Sequence, residues 1–174
     1  IVVRTHNEDE SRLLRQDGVG TVFTLLPDGG GYAVRHQFRA ADNDGRYPDT
    51  PLTQGRDGRL YGTTSQGGDK GVGTVFVMDR DGGNYSILHH FDDEGGDGYG
   101  PAALLQGRNN HWYGVAHSGG SGNAGVLFEM NADGGDYSVL VNFTRTGGPQ
   151  WPAGGLIQDS DGGLYGPSEA GGTS

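Results

Sequence analysis

The sequence predicts an all-β fold of three repeats, each with four short strands, laid out like the blades of a β-propeller. Two observations carry this. First, the same text returns at a near-fixed interval: Phe23, Phe76 and Phe128; Asp28-Gly29-Gly30, Asp81-Gly82-Gly83 and Asp133-Gly134-Gly135; Tyr61-Gly62, Tyr113-Gly114 and Tyr165-Gly166. A period of about 40–50 residues with four strand-like runs is the pattern of a propeller blade. Second, the 174 residues include 36 glycines, far above the usual share of about 7%. They follow no collagen period and alternate with tyrosine, phenylalanine and valine, so the chain reads as turn-dense β structure. A β-trefoil is the alternative, because three four-stranded repeats also match its strand count.

Residues 1–17 do not match the repeat. Ile1-Val2-Val3 reads as a short strand and Arg12–Arg15 as a helical turn; the segment is either a poorly ordered terminus or adds Ile1–Val3 to a sheet edge. Repeat one then covers 18–70, repeat two 71–122 and repeat three 123–174. Repeat two shows the elements most plainly. Its first strand is Gly73–Met78, turned back by Asp79–Gly83, where Asp-Gly supplies the positive φ of a tight hairpin. The second is Tyr85–Phe91, with Tyr85, Ile87, His89 and Phe91 on one face. The acidic loop Asp92–Tyr99 follows. Pro101 introduces the third strand, Ala102–Gln106, and His111–Val115 is the fourth. Tyr32, Tyr85 and Tyr137 recur, as do Phe38, Phe91 and Phe143, and Gln54, Gln106 and Gln158. Such a sheet cannot bury both faces alone, so the recurring aromatics are expected between neighbouring sheets. Gly62, Gly114 and Gly166 are expected where a backbone approaches closely.

Charge narrows the partners. Asp and Glu number 22 against 12 Lys and Arg, a net charge of −10. That opposes nucleic acid and anionic membrane surfaces, which need a cationic face. No run approaches the ~18 apolar residues of a membrane span. Cysteine is absent, which removes disulfide scaffolds and thiolate metal sites. The chain begins at Ile1 and is read as a mature or trimmed segment.

The pattern Leu60-Tyr61-Gly62-Thr63-Thr64, Gly67-Gly68, Gly71-Val72-Gly73-Thr74-Val75-Phe76 resembles the GloVer-type tandem repeat. The resemblance covers residues 18–174. It departs most in repeat three, where Pro167-Ser168 replaces Thr-Thr and Val126-Leu127 replaces Thr-Val. It implies a propeller-like, exported or surface-anchored bacterial protein, and it transfers no catalytic residue.

Several groups are candidate sites. Asp92, Asp93, Glu94 and Asp97 form an oxygen-rich loop of the kind that suits Ca²⁺, which takes six to eight oxygen ligands; a solvated loop is the plainer reading. Asp42-Asn43-Asp44 is the counterpart in repeat one, and Thr144-Arg145-Thr146 in repeat three has no such capacity. Asp159-Ser160-Asp161-Gly162 reads as a hairpin turn. His36 and His89 occupy equivalent positions, with Val141 in the third, and are expected to pack beside the strand phenylalanines. Trp151, Trp112 and His117 are the candidates for a ligand surface, since aromatic faces beside amides and carboxylates suit carbohydrate rings as well as protein partners. Neither a Gly-x-Ser-x-Gly elbow nor a phosphate-binding loop occurs, and no cofactor beyond Ca²⁺ is implied.

Three repeats fall short of the four to eight blades of known propellers. Two open faces remain, so the expected partner is a second copy of the chain, in a ring or a filament. The functional expectation is a non-enzymatic, extracellular or cell-surface repeat module that assembles, binds a carbohydrate or protein, or both. The alternative is a propeller hydrolase or lyase acting on polysaccharide, with His89 or His117 brought to Asp92 or Asp93.

Overall fold

The computed structural model describes residues 19–39 and 43–172. The strand expected at Ile1–Val3 and the turn at Arg12–Arg15 lie outside the described residues, as does Asp42. Among the described residues the chain is all-β, with antiparallel strand pairs and no helix.

The first hairpin pairs β1 (Thr21–Thr24) with β2 (Ala33–Gln37). A short pair follows from β3 (Gly45–Arg46) and β6 (Gln66–Gly67). The central sheet is a four-stranded meander of β4 (Thr53–Gln54), β5 (Leu60–Thr64), β7 (Thr74–Met78) and β8 (Ser86–His90). The next sheet repeats it with β10 (Leu105–Gln106), β11 (Trp112–Ser118), β12 (Asn123–Met130) and β13 (Ser138–Thr144). In that sheet β9 (Tyr99–Pro101) also pairs with β11. The chain ends in two pairs, β14 (Pro149–Pro152) with β17 (Ser168–Gly171), and β15 (Ile157–Gln158) with β16 (Leu164–Tyr165). Each four-stranded meander therefore takes two strands from one sequence repeat and two from the next. The strands fall into separate sheets, not the single closed barrel at the heart of the trefoil alternative.

Local chemistry explains the hairpins. Asp28, Asp81 and Asp133 each accept the N–H of the residue two positions on (2.9, 2.9 and 3.0 Å), and the intervening Gly29, Gly82 and Gly134 have positive φ. This is an Asx-turn, in which the carboxylate fixes the reversal. Each hairpin then carries a register shift at an equivalent place, between Val22 and Phe23, Val75 and Phe76, and Leu127 and Phe128, and the third has a second shift between Asn123 and Val126. A bulge at the same position in every repeat bends the pair and sets where the phenylalanine points.

The core lies between sheets. Every residue of β7 is buried. Side chains alternate across a strand, so Val75 and Val77 join one apolar cluster with Phe91, Leu104, Trp112, Val126, Phe128 and Met130. Phe76 and Met78 join the other, with Val19, Val22 and Phe38. A fully buried side chain of this size contributes about 1.5–3 kcal/mol, so the central sheet is held from both sides. Gly62 and Gly114 make room for a ring, where a backbone approach had been expected. Gly62 pairs with Phe76 and Gly114 with Phe128 across their ladders, and a Cβ on Gly62 would stand 2.5 Å from the Phe76 ring.

Candidate functional site

The repeated histidines anchor the contact between successive repeats. His36 Nε2 lies 3.3 Å from Asp44 Oδ2, and its ring stacks on Tyr85 of the next repeat, 3.7 Å between centroids. The Tyr85 hydroxyl donates to Asp44 Oδ1 at 2.5 Å. The N–H groups of Arg39 and Gly45 complete the carboxylate's shell at 3.1 and 2.8 Å. Burial by itself would raise the Asp44 pKa. The hydrogen bonds from His36, Tyr85 and the two backbone N–H groups outweigh it and hold the carboxyl below its ordinary 3.8. Burial, then the Asp44 carboxylate, push the Tyr85 phenol far up.

The second contact repeats the first. His89 Nε2 is 3.0 Å from Asp97 Oδ2, and the ring stacks on Tyr137 at 3.8 Å and 5°. Here the tyrosine hydroxyl donates to the Asp97 backbone carbonyl at 3.4 Å. Burial lowers the His89 pKa below 6.5, and the neighbouring Asp97 only partly restores it. Beneath each latch the phenylalanines meet edge to face, Phe38 on Phe76 at 5.3 Å and Phe91 on Phe128 at 5.4 Å. The recurring glutamines add a polar tie: Gln106 Oε1 accepts from the Arg56 N–H at 2.8 Å, and Gln158 Oε1 from the Arg108 N–H at 2.9 Å.

A third contact of this kind is left open. The places of His and Asp hold Val141 and Gly148, so the latch is absent and the apolar part remains. Unlike β7, β12 is fully buried on one face only: Val126, Phe128 and Met130 are covered, whereas Leu127 and Glu129 are half-buried. Leu127, Val141, Phe143, Pro152, Leu156 and Leu164 line a groove of about 240 Å³. Val141 is 42% exposed. At the other end, Phe23 and Tyr32 hold the positions of the covering pair Phe76 and Tyr85. Their rings meet at 5.9 Å, and Tyr32 is 46% exposed.

The acidic loop does not gather its carboxylates. Asp92 Oδ1 caps the N–H groups of Glu94 and Gly95, both at 3.1 Å, and Asp93 Oδ1 takes the Glu94 N–H. The carboxylate that holds His89 Nε2 is Asp97, not Asp92 or Asp93. Among the described residues no three His, Asp or Glu side chains come together as a metal site would need. Asp159 is a turn residue as expected, accepting the N–H groups of Asp161 and Gly163 and the Tyr165 hydroxyl.

Trp112 corrects the ligand-surface expectation. It is fully buried, its ring 4.2 Å from Tyr61, so it packs the core between sheets and meets no solvent. Its Leu60 and Leu164 equivalents carried that signal. Trp151 and His117 are brought onto one surface. His117 Nε2 lies 3.4 Å from Glu169 Oε1, and the β14–β17 register sets Trp151 opposite Glu169.

Sequence reasoning missed the partners of the histidines. The signal was present, since Asp44 and Asp97 each follow their histidine at the same separation and vanish together with it in repeat three. Compared with known protein families, the model of the Gloeobacter/Verrucomicrobia repeat matches residues 12–174. No curated protein matches the chain.

Proposed function

The chain belongs to the Gloeobacter/Verrucomicrobia repeat family, and from that premise we propose that it is a non-enzymatic module that joins copy to copy by continuing its internal sheet-to-sheet contact. The observation that carries this reading is the difference between β7, buried on both faces, and β12, fully buried on one. The groove over Leu127, Val141 and Phe143 is where a further phenylalanine–tyrosine pair would sit, and Phe23 with Tyr32 is such a pair. The contact is heterologous, head to tail. It closes into a ring if the rotation per copy permits and otherwise propagates as a filament. Two copies closing as a propeller-like ring would hold six repeats, within the usual blade range. The resemblance to exported repeat proteins supports an extracellular or cell-surface setting.

Without the His–Asp latch, this joint is apolar and reversible. Light scattering is expected to show mass rising with concentration. Phe143→Asp, which puts a charge in the groove, is expected to leave a folded species of single-chain mass. A wild-type chain that stays at single-chain mass throughout would overturn the proposal.

A further inference from the structure

Three residues hold one place in the successive repeats, although a one-residue deletion in the loop before Trp151 hides it in the sequence. Tyr47, Gly100 and Trp151 each precede a proline, Pro48, Pro101 and Pro152. Each has a left-handed backbone, φ 56, 65 and 53°. Each stands opposite one member of a second row. The registers of β3–β6, β9–β11 and β14–β17 set Tyr47 against Ser65, Gly100 against His117 and Trp151 against Glu169. The rows meet where the second and third repeats adjoin. His117 Nε2 reaches Glu169 of the next repeat at 3.4 Å, and its Nδ1 is 2.7 Å from Ser118 Oγ. Ser65 Oγ donates to Asp49 Oδ2 at 3.0 Å. The His117 and Glu169 side chains are 42% and 58% exposed.

Gly100 shows that glycine fills this place without strain. An aromatic residue held left-handed before proline costs on the order of 1–3 kcal/mol. Tyr47 and Trp151 bear that cost, and neither belongs to a hydrophobic core cluster. Both side chains are half-buried, so each keeps part of its ring at the surface.

We propose that this strip binds a neutral polysaccharide. The part-exposed rings of Tyr47 and Trp151 suit the apolar C–H face of a pyranose. Ser65, His117, Ser118 and Glu169 offer donors and acceptors between them for its hydroxyls. A chain of sugar rings matches groups that recur in successive repeats, and the net charge of −10 selects against acidic glycans. This site is independent of the groove at Phe143.

The test is affinity electrophoresis of the whole chain through gels containing mixed-linkage β-glucan, arabinoxylan, galactomannan or pullulan. At least one of these is expected to retard the wild type. Trp151→Gly and Tyr47→Gly are each expected to weaken that retardation tenfold or more. Trp151→Gly should keep the wild-type melting temperature within about 4 °C, because the lost strain offsets the added chain entropy. Trp112 is buried, so ligand-induced change in tryptophan emission reports Trp151 alone. No retardation in any gel would overturn the proposal. So would undiminished retardation of Trp151→Gly, or a much lower melting temperature, which would make Trp151 a packing residue.

Discussion

At His89 two forces oppose each other. Burial favours the neutral ring, and Asp97 favours the charged one; burial wins, so the folded pKa lies below 6.5. The unfolded chain then binds more protons as pH falls below 6.5, and the folded state loses stability through that window. Melting temperature is expected to fall from pH 8 to pH 5.5, and His89→Gln is expected to flatten that slope; an unchanged slope in the variant would place its origin elsewhere. Asp44 acts lower on the scale. Its depressed pKa supports folding above pH 3.8 and loses that support as pH falls through the folded value. Tyr85→Phe removes the hydroxyl that donates to this carboxylate and leaves a buried acid with three of its four partners. It is expected to cost about 1–3 kcal/mol in chemical denaturation. A loss near zero would mean that water replaces the hydroxyl.

The elements depend on how a bulged hairpin aims its phenylalanine. The bulge between Val75 and Phe76 turns the ring over Gly62, and Phe38 packs on its edge. Gly62→Ala drives a methyl into that ring. It is expected to destabilise by about 1–3 kcal/mol, the range for overpacking a filled core, read by urea unfolding. Alternation and turn chemistry made these strands legible from the residues: the runs at 73–78, 85–91 and 111–115 sit where β7, β8 and β11 form. What the residues did not show was which way a recurring group faces. Trp112 looked like a surface aromatic, and only the sheet packed over it explains its burial. A deletion shifts Trp151 out of step with Tyr47 and Gly100, which hides their equivalence in the sequence.

The whole molecule is a stack in which each sheet serves as cover for the one before. Stability of such an array is a sum over nearest-neighbour contacts. Here two contacts are latched by histidine, aspartate and tyrosine, and a third face keeps only its apolar half. Periodicity in the sequence revealed the repeated sheets. It could not reveal the latch, which is made by side chains from different repeats and appears only once the sheets are packed. The central claim is that the open face at Phe143 receives Phe23 and Tyr32 of a second copy. Its most direct measurement is the mass, by light scattering, of two variants alone and mixed. Phe143→Asp keeps an intact head, and Tyr32→Asp keeps an intact groove. Each alone is expected at single-chain mass, and the equimolar mixture at the mass of two chains, because one good head meets one good groove. Two variants that remain separate when mixed, while the wild type assembles, would contradict a head-to-tail joint between these faces.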